Sequence, residues 1–212
     1  MNLPFFDVAS SARYLSDLLA NADPPFVSVS ATGTNSAALA EELSRLNPLL
    51  SLASNPAEVA ISCDAVHLLP HHGRASYVKE VVASAKREAI IVCPLGTELQ
   101  RTIYRSLQSL AAEKNIVVPE ISDALRHGLP TPTDAASWAH GYADIDLFYA
   151  GDVAFFQEQS TRFLSQFGQP FLLKSLRKLI GQSAPAAIEA DLPPETVPMR
   201  RHRRLYLLIR KR

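Results

Sequence analysis

The stretch FVSVSATGTNSAALAEEL, residues 26–43, has the outline of a strand, a tight turn and a helix. When such a turn is rich in glycine, backbone amides at the helix N-terminus cradle a phosphate or an adenosyl cofactor. Here the turn holds one glycine, Gly33, preceded by Ser30, Ala31 and Thr32, with Thr34 and Ser36 offering hydroxyls. Farther along, Asp64 and His67 follow an apolar run. A carboxylate and an imidazole so close in the chain suit ligand holding and proton transfer near neutral pH. His71 and His72 are adjacent, so their side chains diverge, and with no third ligand nearby in sequence a zinc site is not expected. Cys63 and Cys93 both lie inside apolar runs and read as buried free thiols rather than a disulfide. No Ser-His-Asp spacing, phosphate-binding lysine loop or carboxylate pair stands out.

The elements that must position these residues alternate between strand and helix. A leading helix over Asp7–Asn21, with Tyr14, Leu15, Leu18 and Leu19 at helical spacing, stops at Asp23-Pro24-Pro25. A strand is expected over Phe26–Ser30, a helix over Asn35–Leu46 and a buried strand at AEVAISC, residues 57–63. After a turn around LLPHHGR come a helix over Ala75–Lys86 and a second apolar strand, EAIIVCP, residues 88–94. A helix from Thr97 to about Lys114 precedes the HGLPTPTD loop, where Thr133 is expected to cap a short helix around Trp138. YADIDLFYA alternates as a strand does, and RRLYLLIRK closes the chain as another. Near-continuous apolar strands flanked by helices imply an α/β doubly wound, mostly parallel sheet, its last strand antiparallel beside EAIIVCP. Val59, Ile61, Ile90, Ile91 and Val92 should form its core.

The 212 residues are read as one domain, 1–212, with a helical lid or amphipathic insertion over 152–182 and a proline-rich loop over 183–199. No apolar run approaches the roughly 20 residues that span a bilayer, so a soluble, cytoplasmic protein is expected. The zero net charge hides an asymmetry: residues 1–161 hold 10 Lys/Arg against 18 Asp/Glu, and residues 162–212 hold 11 against 3. That split fits an anionic partner for the tail, or a tail docked on its own acidic body. Residues 162–180 combine Phe163, Phe167, Leu172 and Leu176 with Arg162, Lys174, Arg177 and Lys178. They fit a helix packed on the domain with its lysines reaching outward, ahead of a lid or a peripheral helix on an anionic membrane. No aromatic-basic interleaving points to nucleic acid.

The run AEVAISCDAVHLLPHHGRASYVKEVVASAKREAIIVCPLGTE, followed by LRHGLP and the closing RRLYLLIRK, resembles class I S-adenosylmethionine-dependent methyltransferases of the small bacterial type. The resemblance implies S-adenosylmethionine as cofactor, held by Ser30, Ala31, Thr32 and Gly33 on one side of a cleft and by Cys63, Asp64 and His67 on the other. Asp64 stands at the family's aspartate after the fourth strand, whereas His67 falls where an acidic residue is usual. In the plainer alternative, Asp64 caps a turn and His67 packs beside Leu68 and Leu69. The first loop keeps one glycine of the family's two or three, and LLSLASN offers no ribose carboxylate. Too little chain separates Ser30 from Glu58 to hold helix, strand, helix and strand, so one strand-helix unit is missing. The implied activity is methyl transfer to a small-molecule or sugar acceptor with impaired cofactor binding. The alternative is a non-catalytic methyltransferase-fold module working through its basic C-terminal region. If the turn binds cofactor, Gly33→Val should abolish binding and spare the fold. If it is a relic, residues 49–55 should fill the cleft.

Overall fold

The computed structural model describes residues 8–53, 56–167 and 194–211. The chain forms helix α1 (Val8–Ala20), β1 (Ser28–Thr32), α2 (Ser36–Leu46), β2 (Ser51–Leu52) and β3 (Ala57–Cys63). After a 3-10 turn at Val66–Leu68 come α3 (His71–Ser84), β4 (Ala85–Pro94), α4 (Glu98–Glu113), α5 (Pro119–His127) and α6 (Pro132–Trp138). Then β5 (Asp144–Asp152), α7 (Val153–Ser165) and β6 (His202–Arg210) complete the described elements. The strands make one six-stranded sheet, ordered β2-β1-β3-β4-β6-β5. β2, β1, β3 and β4 run parallel, and β6 lies antiparallel between β4 and β5. This is the expected doubly wound sheet, with the closing strand inserted antiparallel beside EAIIVCP.

Alternate residues of each strand feed the two faces. On one face α1 and α2 set Leu15, Leu19, Leu39 and Leu43 against Val29, Val59, Ile61, Ile90, Val92 and Leu208. On the other, Val78 and Val82 of α3 and Trp138 of α6 cover Ala60, Ala89, Ile91, Leu207 and Ile209. All five residues expected in the core are buried, none more than 1% exposed. Each such aliphatic side chain contributes about 1.5–3 kcal/mol by leaving water. A third cluster joins α4, α5 and α7 through Ile103, Leu107, Ile121, Phe156 and Leu164. Because α4 leaves the top of β4, α7 feeds into the connection before β6, and α5 packs on the 3-10 turn after β3, this cluster caps the carboxyl end of the sheet.

Several boundaries differ from the sequence expectation. β1 spans Ser28–Thr32 instead of Phe26–Ser30, because the Glu58 carboxylate accepts from the amides of Val27 and Ser28 (2.7 and 3.2 Å) and holds the strand entrance in place. α3 starts at His71 instead of Ala75: the buried Arg74 anchors its first turn by donating to the Leu69 and Gly128 carbonyls. Helix α5 is an addition to the expected elements, although Pro119 at its start, Glu120 in its first turn and Gly128 after it are helix punctuation. Thr131, not Thr133, caps α6, in a reciprocal box with Asp134. Between Ser30 and Glu58 the described residues hold one helix, α2, and the two-residue strand β2, in keeping with the short span read from the sequence. The expected insertion over 152–182 is described only as far as residue 167, and the loop over 183–199 only from residue 194. The rest of both, and most of the basic segment 162–180, lies outside the described residues.

Candidate functional site

Open α/β sheets bind ligands outside the carboxyl ends of their strands, where the strand order reverses. Here that point lies between β1 and β3, since the chain winds from β1 outward to β2 on one side and from β3 to β4 on the other. Ser30 (buried), Ala31 and Thr32 are the last residues of β1, opposite Ala60, Ile61 and Ser62. Gly33 turns the chain out of the strand at φ +108°, and Gly33 and Thr34 are exposed at the tip. A Cβ on Gly33 would lie 2.0 Å from the Cys63 carbonyl oxygen. The glycine is therefore dictated by the approach of the turn to β3 as well as by its φ, and Gly33→Val cannot spare the fold as the sequence suggested. Thr34 donates to the Asp64 carbonyl (3.1 Å), and the Asn35 amide donates to the Asp64 carboxylate (2.9 Å). Asn35 thereby leaves α2 without a side-chain cap, and α2 opens on the exposed Ala37 and Ala38.

So the structure brings Ser30, Ala31, Thr32, Gly33, Cys63 and Asp64 together at one end of the sheet. What the sequence did not reveal is their partner. Arg204, 1% exposed at the start of β6, donates to both oxygens of Asp64, Nη1–Oδ1 2.7 Å and Nη2–Oδ2 3.0 Å. Asp64 itself sits at φ +54°. That is a left-handed conformation that Asp tolerates better than most residues. His67 in the 3-10 turn is 4% exposed, and its Nδ1 has no hydrogen-bond partner. Burial, reinforced by Arg204, Arg74 and Arg203 and opposed by Asp64, lowers its pKa to about 4, so it is neutral at physiological pH. Burial likewise pushes the Cys93 thiol up to about 12 and the Tyr104 hydroxyl to about 12, leaving both protonated. Arg203 stacks its guanidinium 3.8 Å over Phe156, tying β6 to the cap. The Gly96 amide donates to the Pro130 carbonyl (2.6 Å), so the PLGT turn packs directly on HGLP. His71 is hydrogen-bonded to Asp134 (3.1 Å) on the surface. Among the described residues no group of three or more His, Cys, Asp or Glu could hold a metal.

Residues 49–53 do not fill the space above the turn. β2 pairs only with Ser28 and Val29, and Leu49 and Leu52 are 88% and 53% exposed. At roughly 3.3 Å per residue, β2, whose last residue pairs with Val29, thus stops about 13 Å below the level of Gly33. A carboxylate at the end of β2 could not reach the level of Gly33.

No family model and no curated protein matches the chain. Solved structures do. The chain is similar to the plantazolicin methyltransferase BpumL in complex with a monoazolic desmethylPZN analog and SAH, at TM-score 0.52 and 15% identity, over 98% of this chain and 85% of that one. The same methyltransferase with a triazolic analog and SAH gives TM-score 0.52 and 15% identity over 98% and 86%. The chain has the methyltransferase fold. Within that fold the turn at residues 30–35 and the β3 end at Cys63 and Asp64 occupy the switch point, and the α4-α5-α7 cap stands over it.

The basic C-terminal strand docks on the acidic body. Arg201 pairs with Asp152, Arg204 with Asp64, and Arg210 with Glu88, Asp144 and Asp146. No described helix is long and apolar enough to cross a membrane.

Proposed function

We propose that this chain is an S-adenosylmethionine-dependent methyltransferase of weak cofactor affinity, acting on a small-molecule or sugar acceptor. The observation that carries the reading is the exposed glycine turn at the switch point, left uncovered by residues 49–53 and followed by a helix whose first turn has no side-chain cap. The structurally similar methyltransferase was crystallised with SAH, which supports the cofactor class. In this reading the backbone from Gly33 to Asn35 and the first-turn amides of α2 at Ala37 and Ala38 receive the cofactor's carboxylate, as helix N-termini do. Ser30, Ala31 and Thr32 form the floor, and Cys63 and Asp64 the opposite wall. The cofactor, when bound, supplies an electrophilic methyl group. His67 is held neutral beneath the cap by burial, with its Nδ1 enclosed and unpartnered.

The short β2 accounts for the weakness. Without a ribose carboxylate, a charge-assisted hydrogen bond of about 1.5–3 kcal/mol is missing, roughly ten- to a hundredfold in affinity. The scaffolding alternative loses its basis over residues 194–211, where Arg201, Arg204 and Arg210 are engaged within the chain. Calorimetric titration with S-adenosylhomocysteine tests the reading. Saturable binding is expected, and Ala37→Glu should remove it by like-charge repulsion while favouring the α2 N-terminus. No heat at millimolar ligand would refute it.

A further inference from the structure

The carboxyl end of the sheet holds a buried cation that the proposed function does not use. Arg74, in the first turn of α3, is 1% exposed and among the largest fully buried side chains of the described residues. Nothing in α3 itself accounts for it. A helix N-terminus carries partial positive charge and disfavours a cation, and taking a guanidinium out of water is costly unless its donors are met. Asp134 favours the charge, but the hydrogen bonds that Arg74 makes among the described residues all go to backbone carbonyls.

Those carbonyls belong to two C-termini that converge on it. His67 and Leu69 lie at the end of the 3-10 turn, and His127 and Gly128 at the end of α5. Nε donates to Leu69 (3.1 Å), while Nη2 reaches His67 (3.4 Å) and, across the gap, His127 (3.0 Å) and Gly128 (2.5 Å). The last carbonyls of a helix have no partner within it and form the negative end of its dipole, so one guanidinium meets orphan acceptors of both elements. The 3-10 turn is thereby tied to α5. It begins two residues after Asp64, whose own amide donates to the Val92 carbonyl (3.0 Å) and whose carbonyl accepts from Thr34. The tie therefore stands directly behind the wall that faces the glycine turn.

We infer that Arg74 is a positioning residue of the cofactor cleft: it fixes residues 64–69 against α5 and, through them, the Asp64 wall opposite Gly33. It acts through that backbone and touches no ligand. The inference rests on the S-adenosylmethionine reading above. Lysine cannot stand in for it, because an ammonium is a single point of charge, whereas the tie uses two nitrogens of a rigid fork.

S-adenosylhomocysteine is titrated by calorimetry into the parent, Arg74→Lys and Val82→Ala, at a temperature well below the lowest Tm of the three. Val82 is buried in the same helix against the sheet, about 12 Å along the axis from Arg74, so its truncation lowers stability without reaching the tie. At metal sites, partners that orient a site's own groups from behind are worth about 10- to 100-fold, and Arg74→Lys should weaken S-adenosylhomocysteine about tenfold while Val82→Ala leaves its affinity unchanged. Hydrogen exchange gives a second readout: the Asp64 and Leu68 amides, bonded to the Val92 and Ala65 carbonyls, should exchange faster in Arg74→Lys and not in Val82→Ala. Should Arg74→Lys fail to fold, the parent decides, because S-adenosylhomocysteine should then slow exchange at residues 127–129 as well as at 33–38. Unchanged affinity in Arg74→Lys, an equal loss in Val82→Ala, or protection confined to 33–38 would overturn the role of Arg74 alone. No binding by the parent would overturn the methyltransferase reading and this role with it.

Discussion

Arg204→Leu should be among the most damaging single changes in the described chain. It removes the guanidinium that meets both oxygens of Asp64 at 2.7 and 3.0 Å, in a pair whose members are 1% and 6% exposed. Asn35 still donates to the carboxylate at 2.9 Å, but a neutral amide does not replace a counter-charge. Deleting one partner of a buried ion pair costs about 3–5 kcal/mol, chiefly because the other charge stays buried and uncompensated. At about 2–4 °C per kcal/mol for a domain of this size, Tm should fall by about 6–20 °C. Asp64→Asn, an isostere that tolerates the same left-handed backbone, should also destabilise by stranding Arg204. The double variant Asp64→Asn/Arg204→Leu leaves no unpaired charge and should recover to within about 1–2 kcal/mol of the parent. Urea denaturation of all four proteins closes the cycle. A cost below about 1 kcal/mol for Arg204→Leu, or double-variant losses that simply add, would refute the claim that this pair locks the β3 end to β6.

Ile91→Ala, at a fully buried position facing α3, should cost about 2–5 kcal/mol in the same denaturation assay. Gly33→Ala sets a Cβ against the Cys63 carbonyl oxygen at a residue of positive φ. It should cost about 1–3 kcal/mol by urea denaturation and weaken S-adenosylhomocysteine binding in calorimetry. His67, buried neutral with a pKa of about 4, takes up its proton more readily when unfolded. Its contribution is therefore intact above its ordinary pKa of about 6.5 and is lost as pH falls toward the folded value. Between pH 7 and pH 5 this amounts to about 2 kcal/mol, and comparing that pH difference in His67→Gln with the parent isolates it.

The layering of the molecule is legible in the chain. Period-two and period-3.6 patterning is local, and the continuous apolar runs at 57–63 and 88–94 had to be covered on both faces, so Ile61, Ile90 and Ile91 are core for reasons visible in the residues themselves. The short span between Ser30 and Glu58 likewise left room for little more than one helix and a short strand, because a crossover has a minimum length. The roles of the polar residues arise only when distant segments come together. Asp64 and Arg204 are 140 positions apart and meet because β6 enters antiparallel beside β4, placing its first residues at the carboxyl end where β3 stops. The same reversal carries Arg210 to the other end, beside Glu88 and Asp146, which is why an unequal spread of charge along the chain closes into internal pairs. Gly33 looked like a ligand-facing residue in sequence. Its need for a bare Cα comes from its positive φ and also from a carbonyl oxygen of the neighbouring strand, a contact set by sheet order and twist that no local pattern records.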